Sequence, residues 1–433
     1  MGCTEKNPTS SIDNLVGDLN PRTLEVILPF ESFASDIRVI GGYGTPATMG
    51  RGIIAKEFQG LNSKTLIRFG GYPDSVRIFD STSGIESYDK EFSLIGGRLV
   101  LYFDTIQGAG IGPADISVSA LQQDWDVRTA NWKMAIDTAG DRTDWAQPGG
   151  GVTVPIGVGT FDRQFGRGDE NDTIPFNDSL SIAVDSARIA QWADMSDDSR
   201  GVLVSLENEN RRMVIEAARL RLKLRLSILP DSLIEQTAFI GESSFIYDPM
   251  PGPPPVDDLR IGGAPSWRTI ISLDIPSVLN GPPEVCEVLV CPFYIGRSDA
   301  QVNLAELLLT PRETDPAYQL FDSLNVDLRA VINPELLPKS PLSGQLTGAF
   351  GTTLKPDFFS SESDKQIAFP ITNVVRDLML GDSATLANAH NTIALLVRPE
   401  PPALGFASFY GPGNTKAPVL RLLLTVAGKL VPR

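Results

Sequence analysis

Histidine and cysteine are nearly missing from this sequence. One histidine, His390, and three cysteines serve all 433 residues. A Ser-His-Asp relay would have to use His390, which sits in the stretch Leu-Ala-Asn-Ala-His-Asn with no nucleophile motif anywhere in the chain. Cys286 and Cys291 flank Glu-Val-Leu-Val, which reads as a strand. Five positions along a strand place two side chains on opposite faces ~17 Å apart, whereas a disulfide needs Cα atoms within ~7 Å. The pair therefore reads as two free thiols. No apolar run approaches the ~20 residues of a spanning helix. No glycine-rich loop follows a strand and opens a helix, since Gly108-Ala-Gly-Ile-Gly-Pro reads as plain loop. Positive charge is also short: 37 Lys and Arg against 53 Asp and Glu leave a net charge of −16. Such a surface repels phosphate backbones, so nucleic acid is not an expected partner. It suits solubility outside the cell or the binding of a divalent cation.

What is present is β signal. Leu24–Leu28, Asp36–Ile40, Lys64–Phe69, Arg98–Phe103, Ile116–Leu121, Ser181–Val184 and Val202–Leu206 all read as short strands. Turn pairs such as Gly41-Gly42, Gly70-Gly71 and Gly96-Gly97 separate them. The 39 glycines and 33 prolines suit loops rather than long helices. Arg219–Leu226 alternates cation and leucine throughout, so a one-residue slip would bury four cations and the register is fixed. Its basic side is expected to pair with carboxylates on neighbouring strands. Short helices are expected at Asp185–Asp194, Asn303–Leu309 and Thr372–Leu380.

The chain also repeats itself. A short helix follows Leu180–Val184 and another follows Ile367–Ile371, and each precedes a final pair of strands. Lys64–Phe69 matches Arg268–Leu273 in pattern. This is a duplication of about 200 residues, an ordinary domain size. With the strand pattern it predicts an all-β protein of two antiparallel β-sandwiches with few short helices, a first over 21–229 and a second over 230–427. The polar, turn-rich residues 1–20 read as a tether, and Leu430-Val-Pro-Arg433 resembles a thrombin recognition remnant, so 428–433 is read as a tag remnant. Met250-Pro-Gly-Pro-Pro-Pro-Val256 looks like a linker, but in the second copy it falls where Gly42–Gly50 falls in the first. It is therefore read as a loop inside the second domain, with the boundary near Leu229–Ser232.

Ile116–Gly151 holds three of the five tryptophans. Asp124-Trp125, Thr129-Ala130-Asn131-Trp132 and Trp145-Ala-Gln-Pro148-Gly149-Gly150 together resemble the hallmark of the DNRLRE domain, which overlaps carbohydrate-binding module family ninety-six. Ile371–Leu378 and Pro418-Val-Leu-Arg-Leu422 resemble a later feature of that family, with Leu378 in place of its usual tryptophan. The likeness covers about 20–427 as two copies, and the second lacks the tryptophan corner. It implies tandem jelly-roll sandwiches of a bacterial surface or secreted binding or display protein.

Gly2-Cys3 before a polar leader looks like a lipoprotein start, with Cys3 lipidated and the protein exported to the outer membrane, cell surface or periplasm. Membrane contact is expected through that lipid alone. Sugar stacking needs exposed rings beside polar groups, and Trp145, Trp192, Tyr72 and Trp267 are the glycan candidates. Trp125 and Trp132 are read as structural packing of the corner. Asp169, Asn171, Asp172 and Asp178 share a loop that could offer oxygens to calcium. The resulting expectation is a non-catalytic surface or periplasmic lipoprotein of structural or adhesive role. Its partner is expected to be a polysaccharide or another surface protein. The alternative is a polysaccharide-degrading enzyme or its accessory subunit, since an acidic chain offers many carboxylate pairs.

Overall fold

The computed structural model describes residues 21–80, 84–104, 112–162, 179–194, 201–282, 294–346, 351–362, 364–380 and 391–426. Cys3, Cys286, Cys291, His390 and the four calcium candidates Asp169, Asn171, Asp172 and Asp178 lie outside these residues. The described residues are mostly strand, in antiparallel sheets, as the alternation predicted. Helices form at Phe30–Phe33, Ser186–Ala193 and Thr372–Leu380, while Asn303–Leu309 belongs instead to the strand Ala300–Leu309.

The domain boundaries require a correction. The chain divides into one body of Gly44–Gly252 and another of Met1–Tyr43 with Pro253–Arg433. The first body is inserted in the second, and the turn Leu229–Ser232 marks no division in space. It joins Arg211–Arg225 to Leu233–Asp248, two strands that pair from Leu220↔Ala238 to Arg225↔Leu233. The proline-rich segment near 250–256 does lie at a division.

In the inserted body one sheet runs in the order Thr153–Phe161, Ala114–Leu121, Gly201–Leu206, Leu61–Gly70, Leu233–Asp248, Arg211–Arg225, Ser93–Phe103, Ser179–Val184. Leu233–Asp248 is its corner piece. Its first half pairs with Arg211–Arg225, its second half pairs with Leu61–Gly70, and a bulge falls between Ile240 and Glu242. Strands that change partners at a bulge turn sheets into sandwiches. The core between the two walls holds Ile116, Val118, Leu220, Leu222, Leu224 and Trp192. The helix Ser186–Ala193 is capped by Asp185, whose carboxylate accepts from the Arg188 N–H at 2.8 Å, and it buries Ile189 and Trp192.

In the other body, Arg22–Pro29, Val419–Val426, Ala300–Leu309 and Ile367–Pro370 form a four-stranded sheet. The facing sheet contains Asp258–Gly262, Ser266–Leu273, Thr392–Val397 and Leu324–Val331, with Ala34–Tyr43 added beside Ser266–Leu273. Its core includes Leu24, Val26, Phe33, Leu307, Phe369 and Leu422.

The two bodies repeat one plan. Ser93–Phe103 lies between Ser179–Val184 and Arg211–Arg225, just as Ala300–Leu309 lies between Ile367–Pro370 and Val419–Val426. Gly201–Leu206 pairs with Leu61–Gly70 as Thr392–Val397 pairs with Ser266–Leu273. The place filled by Leu233–Asp248 in one body is filled by Arg22–Pro29 and Ala34–Tyr43 in the other. In sequence order the repeats break near 230, but in space each body is completed by the opening strand of the other repeat. Residues 44–252 expressed alone are therefore expected to unfold cooperatively in urea. Residues 21–229 lack the corner strand and are expected to give no cooperative transition. The reverse result would sink this topology.

Candidate functional site

The tryptophan corner covers the outer side of one wall of the inserted body. Trp125, Trp145, Ala130 and Ala135 pack there against Leu66, Leu203 and Ile246. The sequence builds the corner from short polar side chains that satisfy backbone donors. Asp126 accepts from Arg128 N at 3.1 Å, Thr129 N at 2.8 Å and Thr129 Oγ1 at 2.8 Å. Asn131 Oδ1 accepts from Lys133 N and Met134 N at 3.0 and 3.1 Å. The Gly149-Gly150-Gly151 run has φ of +87°, +108° and +73°. A side chain at Gly149 would also meet the Trp132 ring at 2.9 Å, so only glycine fits there. Lys64 lies over the Trp132 ring and donates to Gly149 O at 2.8 Å. Burial holds its ammonium below the usual lysine range, against the opposing pull of Glu207.

A hollow of about 370 Å3 opens beside the corner, lined by Arg68, Asp124, Trp125, Asp126, Ile136, Thr138 and Asp141. Arg68 reaches Asp124 at 3.0 Å and Trp125 O at 3.1 Å, and it sits 4.7 Å from the centre of the Trp125 ring. Asp124 also accepts from the Trp125 N–H at 2.8 Å. Asp124 and Asp126 are thus engaged in holding the corner, while Asp141, exposed like Asp124, accepts from Thr143 Oγ1 at 3.4 Å.

The aromatic candidates fare poorly as sugar platforms. Trp145 is 4% exposed and donates its Nε1–H to Asn131 O at 2.8 Å; Trp192 is 2% exposed inside the sandwich. Neither offers a ring face, because each is the largest apolar group available to plug its site. Tyr72 is half-buried against the same core as Trp192. Trp267 is half-buried, with Gly41 against one part of the ring and Arg260 5.1 Å from its centre. Trp125 is 2% exposed and Trp132 half-buried, so both belong to the packing of the corner. No group of three or more His, Cys, Asp or Glu that could hold a metal occurs among the described residues.

Exposed rings occur elsewhere. Val76–Asp80 and Ile85–Asp89 form a two-stranded hairpin with Arg77↔Tyr88 and Phe79↔Glu86 directly opposed. Opposed residues share a face, so Arg77, Phe79, Glu86 and Tyr88 all point outward. Phe79 and Tyr88 are each 60% exposed, and Arg77 pairs with Glu86 beside them. The inner face carries Val76 and Ile78 onto the core. Sequence reasoning missed this pair. The available signal was Phe79 falling in phase with Arg77 rather than with Val76 and Ile78.

Asp89 anchors the hairpin. Burial opposes its charge, yet donors from Ser227 N at 2.6 Å, Ser227 Oγ at 2.7 Å and Glu91 N at 2.9 Å hold the carboxyl below the usual aspartate range. A depressed folded pKa contributes stability above the unfolded value of ~3.9, and that stability is lost as pH falls through the folded pKa. Asp89→Asn is expected to be less stable at pH 7 and to lose less stability than the parent as pH drops below ~4. Urea midpoints measured across this range check it.

No family model matches the chain, and no curated protein matches it. Among solved structures it is similar, at 10% identity and a TM-score of 0.10, to one described as the atomic structure of Sulfolobus Turreted Icosahedral Virus, over 96% of this chain and 91% of that one. It is also similar to the Faustovirus major capsid protein at 8% identity and a TM-score of 0.08, over 95% of this chain and 90% of that one.

Proposed function

We propose that this chain is a non-catalytic, exported surface protein of structural or adhesive role whose ligand is a glycan bound at Phe79 and Tyr88. The observation that carries the reading is the outward aromatic pair with the Arg77–Glu86 ion pair at its side. Rings present flat apolar faces to sugar C–H groups, and the charged pair supplies hydrogen bonds to hydroxyls. The engagement of Asp124 and Asp126 in the corner favours binding over glycosidic hydrolysis, which needs two carboxyls facing across a substrate. The alternative of a polysaccharide-degrading enzyme or its accessory subunit has no comparable observation behind it. Calcium at the acidic loop of Asp169 and lipidation at Cys3 belong to the same proposal and rest on sequence alone.

A glycan array with and without a calcium chelator tests it. Retention of a glycan is expected, and Phe79→Ala with Tyr88→Ala is expected to weaken it at least tenfold, about 1.4 kcal/mol. Retention unchanged in that double variant would remove the hairpin from the site. Release of hydrolysis products would overturn the non-catalytic reading.

A further inference from the structure

The basic row of Arg211–Arg225 does not find the carboxylates expected for it. Leu220, Leu222 and Leu224 face the core, so Arg219, Arg221, Lys223 and Arg225 face outward. On one side the register sets Ser93, Gly96, Arg98 and Val100 opposite them. On the other side it sets Leu233, Glu235 and Thr237. Glu235 is thus the one carboxylate opposed to five cations on this face, and it is taken by Arg98 at 3.0 Å. Among the described residues no ion pair reaches the four cations of the row, although the turn beyond it contains Asp231. Alternate residues on a strand stand ~6.8 Å apart, so the row spans about 20 Å.

Exposed apolar side chains border the same row. Leu233, opposite Arg225, is 58% exposed, and Phe239, two pleats beyond Glu235 on the same side of its strand, is 64% exposed. The turn between the strands adds Ile228 and Leu229, 56% and 48% exposed. Such large apolar groups are not repaid by a water-soluble polyanion. They are repaid where anionic headgroups lie over hydrocarbon.

We propose that this outer face of the inserted body docks on an anionic lipid surface. The cations contact the headgroups, while Ile228, Leu229, Leu233 and Phe239 enter the layer beneath. The net charge of −16 does not prevent this, because at physiological salt charges beyond ~8 Å are largely screened and the local face dominates. The proposal stands apart from the glycan reading and adds a membrane contact that needs no lipid on Cys3.

The test is sedimentation of the unacylated full chain with vesicles of phosphatidylcholine, alone or with one-third phosphatidylglycerol. Binding to the anionic vesicles is expected to be at least tenfold tighter than to the neutral ones and to fall in high salt. Arg219→Glu with Lys223→Glu is expected to lose that tenfold. Leu229→Ser with Phe239→Ser is expected to weaken vesicle binding but to leave retention on dextran sulfate unchanged. All four sites are exposed, and circular-dichroism melts confirm that each variant is folded. If a reversal variant does not fold, the glutamine versions replace it. Equal affinity for both vesicles overturns the proposal, and so does loss of the apolar pair without effect. Salt-sensitive self-association with no vesicle binding would assign the face to a second copy instead.

Discussion

Trp125→Ala is expected to destabilise the inserted body by about 3–5 kcal/mol. Trp125 is 2% exposed and lies beneath Arg68, whose guanidinium covers its ring and whose hydrogen bonds reach Trp125 O and Asp124. Truncation therefore leaves a cavity under a charged group that must stay where it is, and the surroundings have little freedom to collapse. Trp145→Ala is expected to cost a similar amount, because it also leaves Asn131 O without the indole donor. Trp132→Ala is expected to cost less, since that ring is half-buried. The loss is read from the transition expected of residues 44–252 alone. Equal, small losses for all three tryptophans would mean that the corner is an appendage, contributing nothing to the sheet it covers.

The second large effect is expected in the other body. Arg268 donates to Glu400 through Nε at 3.0 Å and through the second guanidinium nitrogen at 2.5 Å, with side chains 15% and 13% exposed. The guanidinium also lies 3.5 Å from the centre of the Tyr43 ring, whose hydroxyl donates to Pro338 O at 2.9 Å. Burial pushes the Tyr43 phenol above its usual range despite the nearby guanidinium. Glu400→Ala leaves a mostly buried cation without its partner and is expected to cost about 3–5 kcal/mol. Arg268→Met with Glu400→Leu removes both charges and is expected to recover most of the loss. Denaturation of the parent, Arg268→Met, Glu400→Leu and the double variant as a double-mutant cycle measures the coupling. Glu400→Ala within experimental error of the parent would show that the pair contributes nothing.

The fold class was legible because alternation survives folding. Arg219–Leu226 could satisfy its leucines in only one register, and the structure has that register. The helices Ser186–Ala193 and Thr372–Leu380 were legible from local pattern, and the first has the side-chain cap that Asp185 offers. The boundaries were not legible, because which repeat an opening strand completes is decided by partners hundreds of residues away. Leu24, Val26 and Leu28 alternate as well for one sheet as for the other; nothing within 22–29 names Val419–Val426 as its neighbour. The burial of Trp145 and Trp192 was not legible, through a related ambiguity. Each is a large ring near polar residues, but the polar neighbours Asn131 and Asp185 serve the frame that buries them. Phe79 and Tyr88 sit on the outer face of a short hairpin whose strands also carry Val76 and Ile78 to the core, so sequence alone does not separate the exposed rings from core residues.

The pairing of Arg22–Pro29 with Val419–Val426 has a consequence for synthesis. As the chain emerges in order, all of the inserted body is present once residue 252 has emerged. The opening segment must then wait, with Leu24, Val26, Leu28, Phe30 and Phe33 uncovered, for some 170 further residues to emerge. A holdase that shields this strand until Val419–Val426 is present is expected to raise the yield of native chain.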